Sequence, residues 1–242
     1  MVKNKGTRIA KVLARAGLCS RREAERWIAL GRVSIGENVL ESPAINVYCG
    51  EKVYVDGSLI PEKERIRVWR FNKPRGLITT NNDPLGRPTV FQRLPRSLPR
   101  VVSIGRLDLS SEGLLLFTND GELSRGLELP RTGWVRRYRV RVFGKVNENS
   151  LKELENGQII SGIKYGSIVA NLDSKKGDNS WLTVSLKEGK NREIRRIMEY
   201  LGLKVNRLIR VSYGPFYLGE LGVGEIEEVS SRILRKDLDL KS

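Results

Sequence analysis

The stretch Ser103-Ile104-Gly105-Arg106-Leu107-Asp108-Leu109-Ser110-Ser111-Glu112-Gly113-Leu114-Leu115-Leu116-Phe117-Thr118-Asn119-Asp120-Gly121 decides how this chain is read. Two apolar runs enclose a short polar segment. Val101 to Ile104 reads as a buried strand that Gly105 breaks, and Leu114 to Thr118 reads as the next strand. Asp108 therefore sits on a connection held at both ends, two residues after Arg106. Loops fixed by a rigid scaffold are where reactive groups gather. Asp120 and Glu122 read differently, because Asn119-Asp120-Gly121 is turn chemistry and an acid there caps the helix that follows.

Composition narrows the chemistry. The 242 residues include no histidine and two cysteines, Cys19 and Cys49. That is too little for a four-ligand zinc site or a disulfide framework, so no metal is expected. Without imidazole, the commonest general base near neutral pH and every triad that depends on it are excluded. Catalysis must rest on Asp, Glu, Lys, Tyr or Arg. No run reaches the roughly 20 apolar residues of a membrane helix, and the Met1-to-Gly6 start lacks the apolar core of a signal peptide. The expectation is a soluble cytoplasmic monomer without membrane association.

The formal net charge is +16, from 44 basic and 28 acidic residues, and it points to a polyanionic partner. Its distribution is more telling than its size. Residues 63 to 108 hold eleven basic side chains against three acidic ones, which is half of the whole excess. Charge concentrated beside a candidate carboxylate is what positioning a phosphate backbone requires.

Residues 1 to 62 read as a separate small module and residues 63 to 242 as a larger domain. In the module, Ile9, Val12, Leu13 and Ala16 have helical spacing, with Arg8, Lys11 and Arg15 on the polar face and Gly17 as the stop. A second helix starts at Ser20, with Glu23 completing a capping box, and carries Arg21, Arg22 and Arg26. Strand-like segments follow at Arg32 to Gly36, Ala44 to Val47 and Glu51 to Gly57. The polar run Asp56 to Glu64 is the expected linker.

In the larger domain, strands are expected at 66–71, 77–79, 101–104, 114–118, 137–143, 164–172, 180–186, 205–211 and 224–228. Helices are expected at 121–127, 148–155, 191–201 and 230–237. Strands and helices mix rather than alternate, so the fold class is α+β with a mainly antiparallel mixed sheet flanked by helices.

Particular words now carry a resemblance. Leu13-Ala14-Arg15-Ala16-Gly17, Ser20-Arg21-Arg22-Glu23-Ala24-Glu25, Gly31-Arg32-Val33 and Val53-Tyr54-Val55-Asp56-Gly57 resemble the alpha-L RNA-binding motif of a small-subunit ribosomal protein. Such a module binds RNA shape and phosphate more than base sequence. Phe71-Asn72-Lys73-Pro74-Arg75-Gly76-Leu77-Ile78-Thr79-Thr80, the opening stretch, Arg137-Tyr138-Arg139-Val140-Arg141-Val142 and Glu188-Gly189-Lys190-Asn191-Arg192-Glu193-Ile194-Arg195-Arg196 follow in family order. Together they resemble the RsuA/RluB/RluE/RluF family of bacterial ribosomal RNA pseudouridine synthases. Asn191-Arg192-Glu193 and the run Arg207 to Gly214 place the chain nearest the RluB branch.

The resemblance implies a pseudouridine synthase fold behind the RNA-binding module, and isomerisation of a uridine in large-subunit (23S) ribosomal RNA without a cofactor. It implies that Asp108 is the nucleophile or base, that Arg106 stabilises the flipped nucleotide, that Tyr138 stacks on the base and that Arg195 pairs with Asp108. Lys73, Arg75, Lys190, Arg192 and Arg196, with the module's Arg8, Lys11, Arg15, Arg21, Arg22 and Arg26, are the expected RNA contacts. From the residues alone, Tyr138 could equally face the core. Two alternatives stand beside this reading: the same reaction on small-subunit (16S) RNA, and a non-catalytic RNA-binding assembly factor. A glycosidase expects two cooperating carboxylates, and the opening stretch offers one.

Overall fold

The structure, a computed structural model, describes residues 6–129 and 132–238. These fall into two compact units. The first comprises the described residues up to Ile66 together with Ser97–Val101 and Asn119–Gly121, and the second comprises Arg67–Arg96, Val102–Thr118 and the rest from Glu122. The division falls at Ile66, against residue 62 in the sequence. The two later segments belong to the first unit although they lie far along the chain.

In the first unit, β1 (Thr7–Arg8) leads into α1 (Ile9–Arg15) and α2 (Arg21–Ala29). β2 (Val33–Ile35), β3 (Asn38–Val39), β4 (Asn46–Val47), β5 (Val53–Val55) and β6 (Ser58–Leu59) follow. Ile9, Leu13, Ala24, Ile28, Val33 and Val53 are buried together, the isoleucine, leucine and valine side chains each contributing about 1.5–3 kcal/mol of transfer free energy. Ser20 caps α2, its Oγ accepting from the Glu23 amide at 3.1 Å. The Glu23 carboxylate pairs with Arg26 instead of completing the box.

The expected linker is partly ordered. Asp56 and Gly57 have φ of 49° and 78°, the left-handed pair that a two-residue hairpin turn needs, and β6 pairs with β5 through Tyr54 and Leu59. Only the stretch after Leu59 is irregular, and there Lys63 pairs with Asp120 at 2.9 Å.

The second unit is built on a nine-stranded sheet. Its elements are β7 (Val68–Lys73), β8 (Val102–Ile104), β9 (Glu112–Thr118), α3 (Gly121–Glu128), β10 (Arg136–Phe143), α4 (Glu148–Glu153), β11 (Gln158–Ile160), β12 (Ile163–Tyr165), β13 (Ile168–Lys176), β14 (Asn179–Leu186), α5 (Glu193–Tyr200), β15 (Lys204–Tyr213), β16 (Phe216–Tyr217), β17 (Ile226–Glu228) and α6 (Ser231–Leu238). The strand order is β13-β14-β10-β15-β9-β7-β17, with β16 on β15 and β8 on β9. All pairs are antiparallel except β15 with β9.

Two expected strands changed. The expected strand at 164–172 is two strands broken at Gly166, and 77–79 keeps only a single bridge from Ile78 to Thr89. The helix expected at 191–201 begins at Glu193, because Arg192 at its N-cap is left-handed, with φ 50°.

Strand β10 alternates strictly, with Arg136, Tyr138, Val140 and Val142 buried and Arg137, Arg139, Arg141 and Phe143 exposed. Where β15 meets β9, Gly113 lies opposite Arg210, and a Cβ there would stand 2.4 Å from the Arg210 carbonyl oxygen at φ +91°. Only glycine allows this approach. Gly113→Ala is expected to cost about 3 kcal/mol or more, through backbone strain and loss of the parallel pairing. Urea unfolding of the two proteins checks this.

Candidate active site

The segment from Leu107 to Ser111 has no regular structure, yet each of its five carbonyls is held. Leu107 O accepts from Thr79 Oγ1 at 2.9 Å, Leu109 O from the Gly76 amide at 2.9 Å, and Ser110 O from Arg195 Nη2 at 3.2 Å. Lys73 Nζ donates to both Asp108 O (3.1 Å) and Ser111 O (2.8 Å), and to Pro74 O at 3.0 Å. Gly105, with φ 68°, turns the chain out of β8 into this segment. A buried carbonyl without a donor costs about 1–3 kcal/mol, so this set of donors selects one loop conformation.

Asp108, half-buried, projects from this loop into a cavity of about 1090 Å3 that lies wholly within the second unit. Arg106, Tyr138, Arg136, Arg192, Arg210 and Glu193 also line it. Tyr138 therefore faces the cavity, on the buried side of β10, and Arg106 is exposed beside it. Among the described residues the Asp108 carboxylate accepts no hydrogen bond, which leaves both oxygens to an incoming group.

The sequence reading of Lys73 needs correction. It was expected to contact RNA, but its side chain is fully buried and its ammonium supports the loop. Burial pulls its pKa down to about 8, opposed by the carboxylates of Asp108 and Glu112. Arg195 is also placed differently from the expectation. Its guanidinium donates to Ser110 O and Val205 O, each at 3.2 Å, and forms no ion pair with Asp108 within 4.0 Å. Burial, then Arg192, lowers its pKa, while Asp108 raises it. Its influence on Asp108 is through space and through the loop backbone.

Lys190 donates to Lys164 O at 2.7 Å and pairs with Glu188, so its charge is already partly matched. Arg75 and Arg196 are exposed, and neither lines the cavity. In the module, Arg21 and Arg22 are exposed, Lys11 and Arg15 are half-buried, Arg26 pairs with Glu23, and Arg8 donates to Ala44 O.

Three lining residues escaped the sequence reading. Arg136 Nη1 donates to the Lys187 and Glu188 carbonyls and its Nη2 to Tyr213 Oη at 2.9 Å. Tyr213 Oη donates to Leu127 O at 2.9 Å, and Arg210 Nε to Leu114 O at 2.7 Å. The guanidinium carbons of Arg136 and Arg210 stand 4.7 and 5.2 Å from the Tyr213 ring centre. Burial raises the Tyr213 phenol pKa. Period-two alternation could have found Arg136, which shares a face with Tyr138; the strand was expected one residue too late to include it.

The fold and the cavity define a class. A family model described as RNA pseudouridylate synthase matches residues 67–200, an S4 domain model matches residues 7–47, and the chain belongs to the RNA pseudouridylate synthase family. Within the family, an uncharacterized RNA pseudouridine synthase of Rickettsia typhi is 49% identical over 97% of this chain and 96% of its own length. Ribosomal large subunit pseudouridine synthase B of Salmonella typhi is 42% identical over 96% of this chain and 84% of its own. A crystal structure of a pseudouridylate synthase superposes with a TM-score of 0.66 at 26% identity, covering 95% of this chain and 99% of that one. Among the described residues no helix is long and apolar enough to cross a membrane.

Lys73→Met keeps the apolar stem and removes the ammonium. We expect it to lower unfolding free energy by about 2–4 kcal/mol, since three buried carbonyls lose a donor. The sign of the pH dependence follows from the folded pKa of about 8 lying below the ordinary 10.5. Between those values the unfolded chain holds the proton more tightly, so the stability of the native protein relative to the methionine variant rises with pH. Denaturant titrations at pH 7, 8.5 and 10 check both points.

Proposed function

We propose that this chain isomerises a specific uridine of large-subunit (23S) ribosomal RNA, with Asp108 as the group that acts on the nucleotide. The observation that carries the proposal is the Asp108 carboxylate, uncovered in a cavity beside Tyr138 on a loop with every carbonyl engaged. The reaction breaks the N1–C1′ bond, turns the uracil, and joins C5 to C1′, with the C5 proton lost and N1 protonated, so nothing is consumed. An ionised carboxylate can attack C1′ or take the proton at C2′. Neither route uses a histidine, and this chain has none.

A base inside folded RNA must leave its stack first, at a cost of a few kcal/mol. Arg106, exposed and two residues from Asp108, fills the vacated place. The Tyr138 ring stacks on the uracil, worth about 1–3 kcal/mol. Arg195 acts through the Ser110 carbonyl, holding the loop beneath Asp108. Exposed Arg21, Arg22, Arg75, Arg192 and Arg196 meet phosphates. The large-subunit target rests on the name of the Salmonella relative.

Asp108→Asn is expected to abolish pseudouridine formation while leaving RNA affinity within about twofold. Retained product would sink the assignment of Asp108. Mapping pseudouridines in ribosomal RNA from a strain lacking the gene, with and without the gene restored, identifies the target. A site lost from the small-subunit RNA would move the target there.

A further inference from the structure

The exposed side of β10 carries a second feature, remote from the cavity. Arg137, Arg139 and Arg141 occupy alternate positions on the face opposite Tyr138, all three exposed, so their Cα atoms follow one another at roughly 7 Å. β10 is an interior strand with a neighbour on each side, and register shows what faces each arginine. Across β14 the partners are Ser185, Thr183 and Trp181, and across β15 they are Ser212, Ile209 and Arg207.

No acid stands opposite any of the three, and Arg141 faces another arginine, an arrangement that is unfavourable in isolation. Of the acids nearby, Glu112 takes Arg207 through a two-pronged ion pair at 2.8 and 3.0 Å, and Asp173 turns to Thr183 Oγ1, from which it accepts at 2.9 Å, rather than to an arginine of the row. Among the described residues Arg137, Arg139 and Arg141 form no ion pair. The Arg139 guanidinium lies 4.8 Å from the centre of the Trp181 ring, which holds it above the sheet and covers that aromatic surface.

A solvated strand face interleaves both signs of charge across its neighbours; this one aligns three unmatched guanidiniums in a row. Arginine is the side chain whose planar fork matches phosphate oxygens two at a time. We propose that this face binds the sugar–phosphate backbone of an RNA segment other than the one that enters the cavity, so that the second unit holds RNA on both sides of its sheet. The proposal rests on the RNA-substrate reading only in taking RNA as the polyanion.

The test uses the full chain and a transcribed large-subunit ribosomal RNA. In the triple variant Arg137→Gln/Arg139→Gln/Arg141→Gln, the slope of log affinity against log salt should become shallower by about 2, since each phosphate contact contributes roughly 0.7–0.9 to it. Affinity near physiological salt should fall about tenfold or more. The triple Arg→Lys variant, with its charge intact, should keep most of the slope. Turnover of a short hairpin carrying the target uridine should keep its kcat in both.

A Gln variant that unfolds like the native protein and keeps the native slope overturns the proposal and leaves the face to an acidic protein partner. Equal loss in the Gln and Lys variants also overturns it, because charge would not then be what binds. The readout is affinity, so failure here is distinct from failure of the catalytic assignment, which Asp108→Asn tests by product alone.

Discussion

The ammonium of Lys73 is the interaction on which the cavity depends. It sits at the end of β7, fully buried, and joins three carbonyls from two chain segments that are adjacent nowhere in sequence. Burying an amine is unfavourable, and burial pulls its pKa down to about 8. The return is geometric: the loop that follows Leu107 has a single internal backbone bond, from the Ser111 amide to Asp108 O at 3.0 Å, and its other carbonyls are held by donors from outside it. Remove the ammonium and Ser111 O loses its donor, while Asp108 O keeps only the Ser111 amide.

Cations in this unit divide their work. Those deepest in the protein, Lys73, Arg136, Arg195 and Arg210, all spend donors on backbone oxygens, while Arg106 and Arg192 remain exposed at the cavity. The carboxylate between these groups is bonded to neither set. Positive charge surrounds it without covering it, and both of its oxygens stay open to the cavity.

Much of this was legible in the chain. Alternation in Arg137 to Phe143, the Ser20 cap, and the Gly105 break between two apolar runs are local signals, and the strands, helix and turn they announce are present. Resemblance ordered the segments into a family but could not separate a phosphate contact from a buried brace. Lys73 and Arg75 sit two residues apart in one basic turn, yet the first is enclosed and the second exposed. Burial of a lysine is a tertiary fact, decided by carbonyls contributed 35 and 38 residues away. The family resemblance implied that Arg195 pairs with Asp108. The geometry gives its donors to carbonyls, and period alone carries no information on which oxygen a guanidinium meets.

The parallel pairing of β9 with β15 has a consequence for how the molecule comes into being. The bond from Arg210 Nε to Leu114 O closes 96 residues of chain, and Arg195 reaches back 85 residues to Ser110. Local contacts form early and such distant ones late, because the loop they close must be ordered first. On a ribosome delivering roughly 5–20 residues per second, Asp108, Arg106 and Tyr138 emerge well before the strand and helix that fasten them. The loop that carries Asp108 therefore gains its full set of donors only after β15 has been made, and a chain cut short of Arg195 lacks both of these long-range bonds.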